Sequence, residues 1–163
     1  MEPTASQPTW TIEHETITQA FAATVRTAPD TIYSKDSTRA LTYQQAAGII
    51  QTLANELRDQ VNGKPVALIL PNSTAFLLAY FAILFAGGKP ALINHGHPDA
   101  TVHKLLDDLG AALTISDRTF DGHQVRALSD AQIADLMHPV DLATFTAPCT
   151  AQDIGAILYS GGT

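Results

Sequence analysis

The residues of this chain best suited to handling phosphate are its last four, Ser160-Gly161-Gly162-Thr163. Glycines let the backbone take positive φ and come close to a ligand, so that successive N–H groups can point at phosphate oxygens. Ser and Thr hydroxyls add donors. Alone, the pattern is equally that of a plain turn after a strand, and it lacks the lysine of the G-x-x-x-x-G-K-S/T nucleotide loop. Other groups invite chemistry less well. A metal reading of His95, His97 and His103 needs all three at about 2.0–2.1 Å from one ion. Pro98-Asp99 explains that segment as the start of a helix, so a solvated loop is expected and no metal site is assigned. Asp107 and Asp108 are neighbours on a helix and point in different directions, so they cannot flank one substrate bond. Cys149 follows Pro148 with no nearby histidine to activate it, and takes no role. No residue is assigned as catalytic.

These residues hang on an alternation of helices and short apolar runs. From Thr16 to Ala28, Ile17, Ala20, Phe21, Val25 and Ala28 recur at helical spacing, and Pro29-Asp30 ends the pattern. Thr31–Tyr33 and Ala40–Thr42 flank a polar turn and predict a hairpin. Thr42 then caps a helix with Ala46, Ile49, Ile50, Leu53, Ala54 and Leu57 on one face, closed by Asn62-Gly63. Apolar runs follow at Pro65–Leu70, Pro90–Asn94 and Ala112–Ser116. Between them lie helices over about Thr74–Ala86 and Ala100–Leu109, with Pro98 at the first helical position and Gly110 as the stop. Strands alternating with such helices predict an α/β fold with a parallel βαβ sheet, and their lack of polar alternation predicts helices on both faces. From Asp117 to Thr150 the pattern weakens, with a short helix over Ser129–Met137. Ile154–Tyr159 reads as one more buried strand, running into Ser160.

Bulk properties narrow the classes. The 163 residues suffice for one domain with a core, and 45% hydrophobic with 15% charged residues fits a globular protein rather than disorder. A net charge of -7 without a basic cluster argues against nucleic-acid binding. The single cysteine excludes an internal disulfide and fits a reducing cytoplasm. Residues 1–13 read as a flexible tail and lack the features of a signal peptide. The run Phe76–Phe85 is apolar all round and about half the ~20 residues needed to cross a bilayer, so it is expected to be buried and no transmembrane segment is predicted. Any of its surface left uncovered favours self-association.

Six segments, in this order, resemble the N-terminal region of the adenylate-forming superfamily: acyl- and aryl-CoA synthetases, luciferases and peptide-synthetase adenylation domains. Arg39–Tyr43 is similar to the family's L-T-Y start of a long helix, and Val66–Ser73 to its strand and P-N-S turn. Ala82–Gly88 matches its A-x-x-x-A-G-G helix end, Pro90–Asn94 the next strand, and Leu105–Ala111 the stretch before another. Asp153–Thr163 looks like the approach to the loop written Y-S/T-S/G-G-T-T-G-x-P-K. The resemblance covers Thr16–Thr163. It implies that residues 14–163 are a truncated AMP-binding domain of the acyl-CoA synthetase-like fold. In that family the loop closes over the ATP phosphates while a carboxylate attacks the α-phosphorus, giving an acyl-adenylate and pyrophosphate. Ser160, Gly161, Gly162 and Thr163 would then begin the phosphate clamp. Gly161, where many members carry Ser or Thr, leans towards a fatty acid–CoA ligase using ATP, Mg2+ and CoA. The alternatives are an adenylation domain loading an amino or aryl acid onto a carrier protein, and a non-catalytic βαβ scaffold. The rest of the loop and the family's catalytic lysine are not in the sequence, so the chain alone is expected to be inactive.

Overall fold

Local signals decide where each element begins. The computed structural model describes residues 13–159. Thr16 caps α1 (Ile17–Thr27) by accepting the Gln19 N–H, and α1 buries Phe21, Ala22 and Val25 while Ile17 stays exposed. β1 (Ile32–Lys35) and β2 (Ala40–Thr42) form the expected antiparallel hairpin. Its turn is tied by Asp36, whose carboxylate accepts from the Thr38 N–H and hydroxyl, the Arg39 N–H and the Thr74 hydroxyl. These bonds, the Thr38 N–H first, hold its carboxyl well below the usual range. Thr42 and Gln45 form a reciprocal capping box at the start of α2 (Tyr43–Val61), so both orphan donors are satisfied. The chain leaves α2 through Gly63, at φ +71°.

β3 (Pro65–Ile69), β4 (Lys89–Leu92), β5 (Leu113–Ser116), β6 (Val125–Ala127) and β7 (Ile157–Leu158) form one parallel sheet in the order β6-β5-β3-β4-β7. α3 (Thr74–Phe85), capped by Ser73, connects β3 to β4, and α4 (Asp99–Leu109) connects β4 to β5. Strand residues alternate between faces. Val66 and Leu68 therefore join the core shared with α1, α2 and α3, while Ala67 and Ile69 join a second core with Val102 and Leu106 of α4. Helices cover β3 on both sides, which is why its sequence shows no polar alternation. The α/β architecture agrees with the sequence reading.

Four local readings need correction. Pro98 is the cap residue and α4 starts at Asp99. The helix expected over Ser129–Met137 is a 3-10 segment, Gln132–Leu136, whose tighter winding suits one short turn. β6 lies in the stretch that carried no periodic signal; three residues are too few to show one. The buried strand expected over Ile154–Tyr159 shrinks to β7, and Ile154, Leu158 and Tyr159 are 45%, 72% and 38% exposed. Its apolar composition is that of a central strand, and among the described residues it pairs with β4.

Candidate functional site

The order of the strands locates the site. β3 passes the chain to β4 through α3 on one face, and β4 passes it to β5 through α4 on the other, across β3. The two connections diverge and leave a crevice at the carboxyl ends of β3 and β4, the place where open α/β sheets bind ligands. An open depression of about 540 Å³ lies there, walled by Pro71, Asn72 and Phe76 on the β3 side and by Asn94, His95 and Gly96 on the β4 side.

The β4 wall is held by a polar network. His95 Nε2 lies 3.1 and 3.2 Å from the two carboxylate oxygens of Asp117, just past the end of β5. Arg118 donates from Nη2 to the His95 carbonyl at 2.8 Å and from Nη1 to Asp99 Oδ1 at 3.0 Å. Its guanidinium carbon sits 5.4 Å from the centre of the Phe120 ring. The Asn94 side chain accepts the Gly96 N–H at 2.9 Å, closing the turn before α4. Partly exposed pairs of this kind add little stability. Their effect is geometric: they fix the turn that forms one wall. Among the described residues no lysine or arginine lines the crevice, so these residues alone do not neutralise a polyphosphate there.

The structure separates the residues that the sequence suggested for chemistry. His95 pairs with Asp117, whereas His103 Nδ1 donates to the Asp99 carbonyl at 2.8 Å and its ring lies 5.6 Å from that of His123. Among the described residues no group of three or more His, Cys, Asp or Glu is placed to hold a metal ion. Asp107 and Asp108 are exposed, with Asp107 3.4 Å from His123 Nε2. The Cys149 thiol donates to the Leu84 carbonyl at 3.2 Å, and burial pushes its pKa up, away from the thiolate. Phe76–Phe85 lies in α3, mostly buried under the sheet, with Leu77 exposed. No helix among the described residues is long and apolar enough to cross a membrane.

The predicted phosphate-binding residues Ser160, Gly161, Gly162 and Thr163 lie outside the described residues. The strand leading to them is nevertheless placed: β7 pairs in parallel with β4, Leu158 opposite Leu92, so its carboxyl end shares the rim of the crevice. Sequence reading missed Asn72, His95 as an Asp117 partner, and Asp117 itself. The signal was available: each closely follows an apolar run, where a parallel sheet presents its ligand-facing residues.

Comparison with known proteins adds identity to geometry. A plipastatin synthase polypeptide of Bacillus subtilis is 28% identical over 156 residues, which is 92% of this chain and 4% of that protein. Among solved structures, the Klebsiella oxytoca NpsA N-terminal subdomain in complex with 3-hydroxyanthranilyl-AMSN superposes with a TM-score of 0.72 at 22% identity, over 90% of this chain and 37% of that one. NpsA-ThdA, an artificially fused Adenylation-PCP di-domain NRPS from the same organism, gives 0.72 at 20% identity, over 89% of this chain and 28% of that one. The chain thus spans a small part of the relatives it matches. The two structural likenesses carry the fold, a parallel sheet flanked by helices. The sequence pattern of the AMP-binding enzymes matches residues 21–163, most of the chain, and the chain belongs to that family.

Proposed function

We propose that this chain forms the N-terminal part of an adenylation domain that activates an amino or aryl acid as its acyl-adenylate, for transfer to a carrier-protein thiol. The observation that carries this reading is the 92% of the chain aligned with a plipastatin synthase polypeptide, within a family match over residues 21–163. The lean towards a fatty acid–CoA ligase rested on Gly161 alone, and the synthase relatives outweigh it. Residues 14–163 are assigned to the domain and 1–13 to a tail before it. ATP is the nucleotide proposed, with Mg2+ as its counter-ion, and CoA gives way to a carrier protein as acceptor.

In this reading Ser160, Gly161, Gly162 and Thr163 begin the phosphate clamp. Hydroxyl and backbone N–H donors suit that task, because phosphoryl transfer develops charge on phosphate oxygens and donors already in place stabilise it. The crevice beside β4 is a neighbouring surface of the same rim. The test is ATP–pyrophosphate exchange by the polypeptide carrying the complete domain, against panels of amino, aryl and fatty acids. Exchange with an amino or aryl acid is expected. Exchange with fatty acids alone would restore the ligase reading, and none with any carboxylic acid would remove the enzyme reading altogether.

A further inference from the structure

Asn72 and Phe76 stand on the β3 wall of the crevice, and the three residues between them are the cap and first two residues of α3. Whatever fixes Ser73, Thr74 and Ala75 therefore fixes that wall. The first N–H groups of a helix have no partner within it and need oxygens from outside. Ser73 supplies one locally, accepting the Phe76 N–H at 3.3 Å. The Ala75 N–H is met from 55 residues away, by the Asp130 carboxylate at 3.3 Å, where the helix dipole also favours negative charge. The Thr74 hydroxyl, on a residue only 3% exposed, bonds to Asp36 Oδ2 at 3.1 Å. The Asp36 carboxyl, held well below the usual range first by the Thr38 N–H, is ionised and only accepts. Thr74 is therefore the donor, and Ser34 Oγ donates in turn to Thr74 Oγ1 at 2.9 Å.

Both distant carboxylates lead back to one place. Asp36 closes the turn of the β1–β2 hairpin by accepting the Thr38 and Arg39 N–H groups. The Arg39 guanidinium, from that same turn, donates to the Asp130 carbonyl. We infer that the hairpin turn positions the β3 wall of the crevice, directly through Asp36 and Thr74 and indirectly through Arg39 and Asp130. Thr74 and Asp130 are its positioning residues. This rests on the adenylation reading, with the crevice as part of its ligand surface. The two walls then answer to different parts of the chain, since Arg118 holds the β4 wall from beyond the end of β5.

The experiment compares wild type with Thr74→Val, Thr74→Ser, Asp130→Ala and the core control Ile50→Val in the polypeptide carrying the complete domain. Valine keeps the shape of threonine and removes the hydroxyl, whereas serine retains it. Loss of a hydrogen bond to a charged acceptor predicts that Thr74→Val and Asp130→Ala each lower kcat/KM for ATP–pyrophosphate exchange about ten-fold. Thr74→Ser should stay near wild type. Ile50 is buried in α2 and lines no part of the crevice, so Ile50→Val should leave the kinetics unchanged. Hydrogen–deuterium exchange should quicken over residues 72–77 in Thr74→Val and Asp130→Ala and stay unchanged over residues 94–98. Wild-type kinetics in both variants overturn this inference and leave the adenylation reading standing. Equal quickening at both walls, or an equal kinetic loss in Ile50→Val, reduces the effect to general loosening and also overturns it. A wild type inactive with every acid removes the adenylation reading and this inference together.

Discussion

β3 and β7 are written in much the same residues and are built in opposite ways. Val66, Ala67, Leu68 and Ile69 are sealed from solvent, with α2 and α3 on one face and α4 on the other. Among the described residues β7 has one strand neighbour, Leu158 is mostly exposed, and two phenol hydroxyls tie the residues around it. The difference separates two ways of placing a strand: β3 by non-directional burial, and the residues around β7 by directed bonds to α3 and α4.

Mutations can break or sharpen that contrast. The largest effect is expected at the centre of β3. Leu68→Ala removes a fully buried side chain shared by the α2–α3 core and should cost about 2–5 kcal/mol in urea unfolding. A cost under about 1 kcal/mol would show that the core collapses around the gap and that β3 is not the keystone. Next comes Gly48→Ala in α2. Alanine normally stabilises a helix interior by about 0.5–1 kcal/mol over glycine. Here the new Cβ would clash with the His138 carbonyl oxygen, so the change should instead destabilise by about 1–3 kcal/mol as the loop is pushed away. A stabilised variant would mean that the outer side of α2 is loosely packed.

Ionisation probes the same side more gently. Burial, with a smaller contribution from Tyr43, raises the pKa of Tyr33, whose ring packs edge-on against Phe21. The folded state therefore holds the proton more tightly than the unfolded chain. Its contribution is complete below the unfolded pKa of about 10 and is lost as the pH rises towards the folded value. Melting temperature should fall above about pH 10 and fall less in Tyr33→Phe; equal losses would place the alkaline sensitivity elsewhere. The smallest effect is expected at the edge. Leu158→Ala should change stability by less than about 0.5 kcal/mol, since its side chain is already in solvent. A loss comparable to that of Leu68→Ala would erase the contrast between the two strands.

Much of this was legible in the sequence, for identifiable reasons. Thr16, Thr42 and Ser73 each cap the helix that follows, because a cap needs only a side-chain oxygen within three residues of the N–H it accepts. The α2 face of Ala46, Ile49, Ile50, Leu53, Ala54 and Leu57 is buried as its spacing required. The family-like segments were readable for the same reason: they are contiguous. The site was less legible. The His95–Asp117 pair joins residues 22 apart, and the Tyr80–Gly155 and Tyr159–Leu105 bonds join residues 75 and 54 apart. No local pattern encodes such distances.

The sequence by itself determined the α/β class, the helix boundaries to within a residue or two, and the likeness of Asp153–Thr163 to a phosphate-loop approach. All of these follow from short-range backbone preferences and from hydrophobic periodicity. The tertiary structure alone decided the strand order, and with it the crevice at the ends of β3 and β4 and the pairing of β7 with β4. Apolar composition reports that a strand is able to be buried. Which strands are buried depends on the order in which they pair, and that order is set by contacts between segments far apart in the chain.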